Sequence, residues 1–170
     1  AINSDVEVRY YVVDLDFDNA SILKADLILD CTDNIYTRFL INDFSRKNNF
    51  PWIYASVIKA KGMTLNITDK TPCFSCVFKE PTEPLETCNT VGILNTIPHA
   101  IAAIQATEAI KILMKQEYSR EVIHYDLWNT KISKIKAKRS KHCKPCSGIY
   151  EYLDDKKLKE IIKICGSSSF

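Results

Sequence analysis

The cysteines carry the first chemical signal. There are seven in 170 residues, and four of them form two knuckles: "PCFSC" places two residues between Cys73 and Cys76, and "HCKPC" does the same for Cys143 and Cys146. Four thiolates are a complete tetrahedral set for Zn(II). A shell closed by four sulfurs leaves no open position, so the metal would be structural rather than catalytic. The chain between the knuckles is much longer than in a zinc ribbon, so the fold must bring them together. A metal that closes so long a loop constrains the unfolded chain strongly. Two unrelated redox or free-thiol pairs, or an iron–sulfur cluster, are the competing accounts of the same spacing.

Cys88 has no partner at that spacing. It sits in "LETCNTVGIL", a polar stretch shortly before a helical pattern that starts near Thr96. A cysteine close to a helix N-terminus can have a lowered pKa and act as a nucleophile; the alternative is an incidental loop cysteine. Cys31 and Cys165 read as small packing residues.

The third signal is "LILDCTDNIYTRFLIND", Leu27 to Asp43. An apolar run empties into Asp30, Cys31, Thr32, Asp33 and Asn34, and helix-like sequence follows at once. In an open α/β sheet, ligands bind beyond the carboxyl ends of the strands. Asp33 and Asn34 stand at such a place. Either can be a plain helix N-cap. A carboxylate there can also hold Mg(II), and the metal then bridges to phosphate oxygens. Periodicity does not choose between these two. Asp30 reads only as the end of the strand.

The elements that would position these residues follow from pattern. "VEVRYYVVD", Val6 to Asp14, is β-branched and aromatic and predicts a strand. Asp26 to Cys31 predicts a parallel strand buried on both faces. Tyr36 to Asn48 places Tyr36, Leu40 and Phe44 at helical spacing, with Phe39 beside them. Pro51 opens two strands around a turn at Lys61-Gly62, and residues 70 to 92 read as loop. Thr96 to Lys115 predicts a helix capped by Asn95 or Thr96, with Pro98 in its first turn; its Ala- and Ile-rich sides predict a buried one. "EVIHYDLWNTKISKIKAKR" predicts a hairpin turning near Trp128-Asn129-Thr130. The tail from Tyr150 is ambiguous between helix and strand. Strand, helix and strand followed by antiparallel strands imply an α/β fold: a mixed, partly Rossmann-like sheet flanked by helices, with a four-cysteine zinc site.

Composition bounds the rest. With 46% hydrophobic residues the chain can build one real core. A net charge of +2 gives no global field to draw nucleic acid or membrane. No stretch approaches the roughly 20 apolar residues of a membrane span, and the first ten residues do not have the form of a signal peptide. A reducing cytosol is the expected compartment for this cysteine usage. Only four glycines are present, with neither G-x-G-x-x-G nor G-x-x-x-x-G-K-[ST], so no phosphate-cradling loop is written in this chain.

Taken together, "ADLILDCTDNIYTRFLIND", "PCFSCVF", "TCNTVGILNTIPHAIAAIQATEAIKIL" and "HCKPC", in that order, resemble the ThiF/MoeB/HesA family of ubiquitin-activating-enzyme-like adenylyltransferases. The resemblance runs from about Val6 to Cys146. It implies an enzyme that binds ATP and Mg(II), adenylates the C-terminal Gly-Gly carboxylate of a ubiquitin-like or sulfur-carrier protein, and passes the acyl group to a sulfur donor or thiol. It implies that Asp33 is the Mg–ATP carboxylate with Asn34 beside it in the nucleotide site, that Cys88 takes part in sulfur transfer or thioester chemistry, and that Cys73, Cys76, Cys143 and Cys146 hold the structural zinc. Arg38 and Asn42 match the family's helix pattern and are read as supporting the loop. The pathway, whether thiamin, molybdopterin, thiolation or protein conjugation, stays open.

The same resemblance divides the chain into residues 1–146, the C-terminal part of such a domain, and residues 147–170, the start of an extension. The family's glycine-rich loop, ribose-binding acid, arginine and lysine are not in this sequence. The expectation is that the chain alone does not adenylate. It would work as a homodimer of the complete protein or in complex with an N-terminal half. The alternative is a non-catalytic, zinc-stabilised module that binds a ubiquitin-like protein or a partner subunit. A further alternative is nucleic-acid binding through "KISKIKAKRSKHCK". The alternating lysines 134, 136 and 138 there equally fit the wet face of an edge strand kept soluble by charge.

Overall fold

Alternating apolar residues from Trp52 to Ile67 build the centre of the molecule. In the computed structural model, which describes residues 3, 5–81 and 91–154, they form two strands, β2 (Trp52–Ile58) and β3 (Lys61–Ile67), paired antiparallel with Trp52 opposite Ile67 and Ser56 opposite Met63. β1 (Ile28–Leu29) lies parallel to β2 on one side. β4 (Val122–Asp126) and β5 (Lys131–Ile135) continue the sheet antiparallel on the other, in the order β1-β2-β3-β4-β5. The expected mixed sheet is therefore present, with one parallel pair at the edge that leads to the "DCTDN" turn.

Successive strand residues face opposite sides of the sheet. Trp52 and Tyr54, with their cross-strand partners Ile67 and Leu65, join Phe39, Phe44, Phe74 and Tyr152 in the main core. The rings of Phe39 and Phe74 meet edge to face at 5.0 Å, and Phe39 stacks on Tyr152 at the same distance. α1 (Ile35–Asn48) supplies Phe39, Leu40 and Phe44, as its spacing predicts. The second long helix, α3 (Thr96–Leu113), packs on β2 and β3. Between the two comes a single turn of helix, α2 (Phe74–Val77), where the sequence reads as loop.

Several expectations are corrected. Val6–Asp14 is extended but pairs with no strand among the described residues, and its apolar side chains are exposed, Val12 to 91% and Tyr10 to 84%. A strand needs a neighbour's backbone as well as suitable side chains, and none is offered here. β1 is not buried on both faces, because Leu29 is exposed. The β2–β3 turn lies at Lys59-Ala60 rather than Lys61-Gly62, with Lys59 in the left-handed region (φ 54). Gly62 instead lies inside β3, where a Cβ would come within 2.4 Å of Ile101; it is the close approach of α3 that needs glycine there. α3 is half-buried, not buried all round: Ile97, Ile101, Gln105 and Glu108 face the sheet while Ile110 and Leu113 are exposed. Asn95 is its N-cap residue but its side chain makes no capping bond. The β4–β5 hairpin turns at Trp128–Thr130 as expected. β5 is an edge strand with Lys134 exposed. The tail begins with a 3-10 turn, Glu151–Leu153. Among the described residues no helix is long and apolar enough to cross a membrane.

Candidate functional site

The two knuckles meet. Cys73 begins α2 and Cys76 follows on its single turn, with the Cys76 N–H bonded to the Cys73 carbonyl. Asn42 on α1 fixes this turn from below: its Oδ1 accepts from the Phe74 N–H at 2.9 Å, and its Nδ2 donates to Ser75 Oγ at 3.1 Å. Cys146 lies within a 3-10 turn, Pro145–Ser147, that ends on Gly148 at φ 83, and Cys143 stands just before it. Arg139 clamps this second knuckle to the first by donating to the carbonyls of Thr71 and Asp69. The four sulfurs all lie within 4.8 Å of one another. Four of the separations are 3.4 to 3.6 Å: Cys73–Cys143, Cys73–Cys146, Cys73–Cys76 and Cys76–Cys146.

Those distances fit a metal. A tetrahedron with Zn–S bonds of about 2.3 Å has S···S edges of about 3.8 Å. The sulfurs are too far apart for disulfides and suitably spaced for one ion. Burial holds the Cys73 thiol well above its ordinary range, with its neighbours' charges adding to the effect, and pushes Cys143 up to about 12. Burial also works against Cys76, but hydrogen bonds from the Ser140 backbone and the adjoining thiols hold it below the usual value. Ionising all four together requires a cation among them.

At the mouth of β1 the turn is organised around Asp30, and here the expectation fails. Asp30 does not merely end the strand. It is 1% exposed and ion-paired to Arg38 of α1, Nε to Oδ2 at 2.9 Å. Its Oδ1 accepts from the Thr32 N–H at 2.9 Å and the Thr32 hydroxyl at 2.7 Å. Arg38 Nη2 also donates to the carbonyls of Thr32 and Ala55, and its guanidinium lies 5.1 Å from the Tyr54 ring centroid. Arg38 therefore supports the loop as expected, and Asn42 supports the first cysteine knuckle.

Asp33 and Asn34 both lie on the surface. Asn34 is the N-cap of α1, its Oδ1 accepting from the N–H groups of Tyr36 at 2.8 Å and Thr37 at 3.3 Å. Asp33 is left as the exposed carboxylate of the turn, beyond the carboxyl end of a parallel strand. One carboxylate in such a place suits Mg(II), which is commonly held by one or two carboxylates together with substrate phosphates and water. Cys31 is exposed, not packed as its sequence position suggests; part-burial and the Asp30 charge raise its thiol pKa, which is the opposite of activation. Cys88 and Cys165 lie outside the described residues.

Sequence reasoning missed Gln105. Its amide donates to the carbonyls of Asp30 and Ile53, each at 3.0 Å, tying α3 to the carboxyl end of β1 and the first residues of β2. The available signal was a polar residue spaced four after Ile101 and three before Glu108 on the buried face of the helix.

The family model described as "ThiF family" matches residues 1–147. The chain belongs to the ThiF family. Among curated ThiF relatives it is 30% identical over 175 residues to the sulfur carrier protein ThiS adenylyltransferase of Bacillus subtilis, covering 99% of this chain and 52% of that protein. It is 28% identical over 151 residues to the SAMP-activating enzyme E1 of Haloferax volcanii, covering 85% of this chain and 56% of that protein. It is 32% identical to the adenylyltransferase and sulfurtransferase MOCS3 of Xenopus laevis, covering 99% of this chain but 38% of that protein. The chain thus spans about half or less of the length of these relatives. Among solved structures, E. coli MccB with ATP superimposes with a TM-score of 0.63 at 20% identity, covering 77% of this chain and 42% of that one. MccB with MccA-N7isoASN gives a TM-score of 0.65 at 18% identity, over 79% and 45%. These likenesses place the mixed sheet and its helices in the same fold.

Proposed function

We propose that this chain is the zinc-bearing part of a cytoplasmic, ATP-dependent adenylyltransferase that activates the C-terminal glycine carboxylate of a ubiquitin-like sulfur-carrier protein. The observation that carries it is the turn after β1. A buried Asp30–Arg38 pair and the Asn34 cap fix the backbone on either side of Asp33, which is exposed where an α/β sheet receives its nucleotide. Relatives named as sulfur-carrier and SAMP-activating enzymes supply the substrate class.

In this account Asp33, with the Asn34 amide beside it, faces the phosphates. Asp33 would hold a magnesium ion there, which would offset the charge of the phosphates. The carrier's C-terminal carboxylate attacks the α-phosphate of ATP and pyrophosphate leaves. Cys88 then attacks the acyl adenylate, forming a thioester and releasing AMP, or takes the outer sulfur of a persulfide donor, whose thiolate leaves, to carry a persulfide on the way to a thiocarboxylate. Cys73, Cys76, Cys143 and Cys146 hold zinc as a structural clip that joins the Phe74–Val77 turn, which precedes Cys88 in sequence, to the Pro145–Ser147 turn. The phosphate-cradling glycines must come from elsewhere, either from the rest of a longer chain or from a partner half. Among the described residues β1 ends the sheet with no further strand beside it, and Val6–Val13 is an exposed apolar run; both support a further element packing on this chain.

Cys88→Ser in the complete enzyme tests the assignment. It is expected to leave adenylate formation, read as ATP–pyrophosphate exchange, within about twofold, and to lower sulfur or thioester transfer by about 100-fold or more. Unchanged transfer would leave a binding or purely activating module instead.

A further inference from the structure

Gln105 is 4% exposed and sits on the sheet-facing side of α3, among Ile97, Ile101 and Ala109. A side-chain amide is costly to bury unless its hydrogen-bonding groups are used. Here both donors of Nε2 are used, one on Asp30 O and one on Ile53 O. The first lies just past the carboxyl end of β1 and the second near the start of its parallel neighbour β2, and Asp30 is the last residue before the turn that bears Asp33.

We propose that Gln105, acting together with Arg38, is a positioning residue for the nucleotide site: it holds the Asp30–Asn34 turn so that the Asp33 carboxylate is already placed for a phosphate-bound divalent cation. The inference rests on the adenylyltransferase reading. It adds a residue on a different helix that touches neither nucleotide nor metal.

Every polar group of Asp30 has a partner. Its N–H donates to Ile53 O at 3.0 Å. Its carbonyl accepts from Gln105, its Oδ1 from Thr32, and its Oδ2 from Arg38. Thr32 O is in turn held by Arg38, and Asn34 is locked as the cap of α1. Asp33 thus lies between two fixed neighbours, with α1 holding the turn through Arg38 and α3 through Gln105. Mg(II) demands near-ideal octahedral geometry, so a loose carboxylate loses affinity for it. α3 is also the helix entered from Leu94, whose N–H is bonded to Lys59 O, so the amide ties the Asp33 turn to the element that follows the Cys88 segment.

The test uses Gln105→Leu, which keeps the bulk and removes both donors, with Arg38→Lys as a second variant should the first fail to fold. Hydrogen–deuterium exchange is read on the zinc-loaded chain. About tenfold faster exchange is expected in peptides spanning residues 29–36, with residues 61–67 and the bound zinc unchanged. In the complete enzyme, the magnesium concentration giving half-maximal ATP–pyrophosphate exchange is expected to rise about tenfold, with most of the rate recovered at saturating magnesium. Unchanged exchange in residues 29–36, or an unshifted magnesium requirement, overturns the positioning role. Asp33→Asn separates the two ideas. If it leaves the magnesium requirement untouched, the adenylyltransferase reading of this turn fails. If it raises the requirement while Gln105→Leu and Arg38→Lys do not, only the positioning role fails.

Discussion

Asp30 and Asp33 are three residues apart and do opposite work. Asp30 is sealed against Arg38, with side-chain exposures of 0% and 10%; Asp33 stands on the surface. Removing one partner of a buried pair leaves a charge without compensation, a loss of about 3–5 kcal/mol. Asp30→Ala is therefore expected to lower the urea unfolding free energy by about 3 kcal/mol or more, whereas Asp33→Asn should leave it within about 0.5 kcal/mol. Equal losses would remove the distinction between a structural and a chemical aspartate. From the sequence, only half of this was readable. Strand-then-helix spacing located the turn and made Asp33 and Asn34 candidates for cap or ligand. Side-chain direction within a five-residue turn has no period, so the burial of Asp30 and the capping by Asn34 could only come from the folded chain. The exposure of Cys31 is hidden from the sequence for the same reason.

α1 shows how an element can add a condition of its own. Asp43 is 1% exposed, and its Oδ2 accepts from the Tyr152 N–H at 3.0 Å, joining α1 to the 3-10 turn at the start of the tail. Burial raises its pKa from 3.8 to about 7, against the pull of the Tyr152 and Asn42 hydrogen bonds and with the repulsion of Glu151 and Glu80. The folded state thus holds this proton more tightly than the unfolded chain. The resulting stability is full below pH 4 and is lost as pH rises through about 7. The difference in urea stability between the wild-type chain and Asp43→Asn should therefore shift in favour of the variant between about pH 4 and 7, then flatten. A pH-independent difference would contradict the buried, protonated Asp43. At this scale the long periodic elements were legible: α1, the β2–β3 pair, α3 and the β4–β5 hairpin all follow from spacing. Val6–Asp14 was not, because strand propensity does not supply a neighbour to pair with. The face of α3 was misread because its exposed Ile110 and Leu113 carry the same apolar signal as its buried Ile97 and Ile101.

Across the whole molecule, the two knuckles lie 70 residues apart in sequence and close on one point, with Cys73 Sγ 3.4 Å from Cys143 Sγ. A closure of that length is where a metal constrains the unfolded chain most. Stripping the metal with a chelator is expected to lower Tm by at least about 10 °C, with Zn(II) but not Mg(II) restoring it. An unchanged Tm would remove the structural clip. The cysteine arithmetic is the most readable part of the sequence because ligand spacing is local; how the two halves of the set meet is not, since it depends on Arg139, which carries no motif, reaching the Asp69 and Thr71 carbonyls. The central claim is that Asp33 is the cation-side carboxylate of an ATP site whose glycine-rich side this chain does not contain. ATP–pyrophosphate exchange with a ubiquitin-like substrate tests it most directly. No exchange is expected from the chain alone, exchange once the glycine-rich half is supplied, and a loss of roughly 100-fold on Asp33→Asn. Robust exchange by the chain alone, or an Asp33→Asn enzyme as fast as wild type, would contradict it.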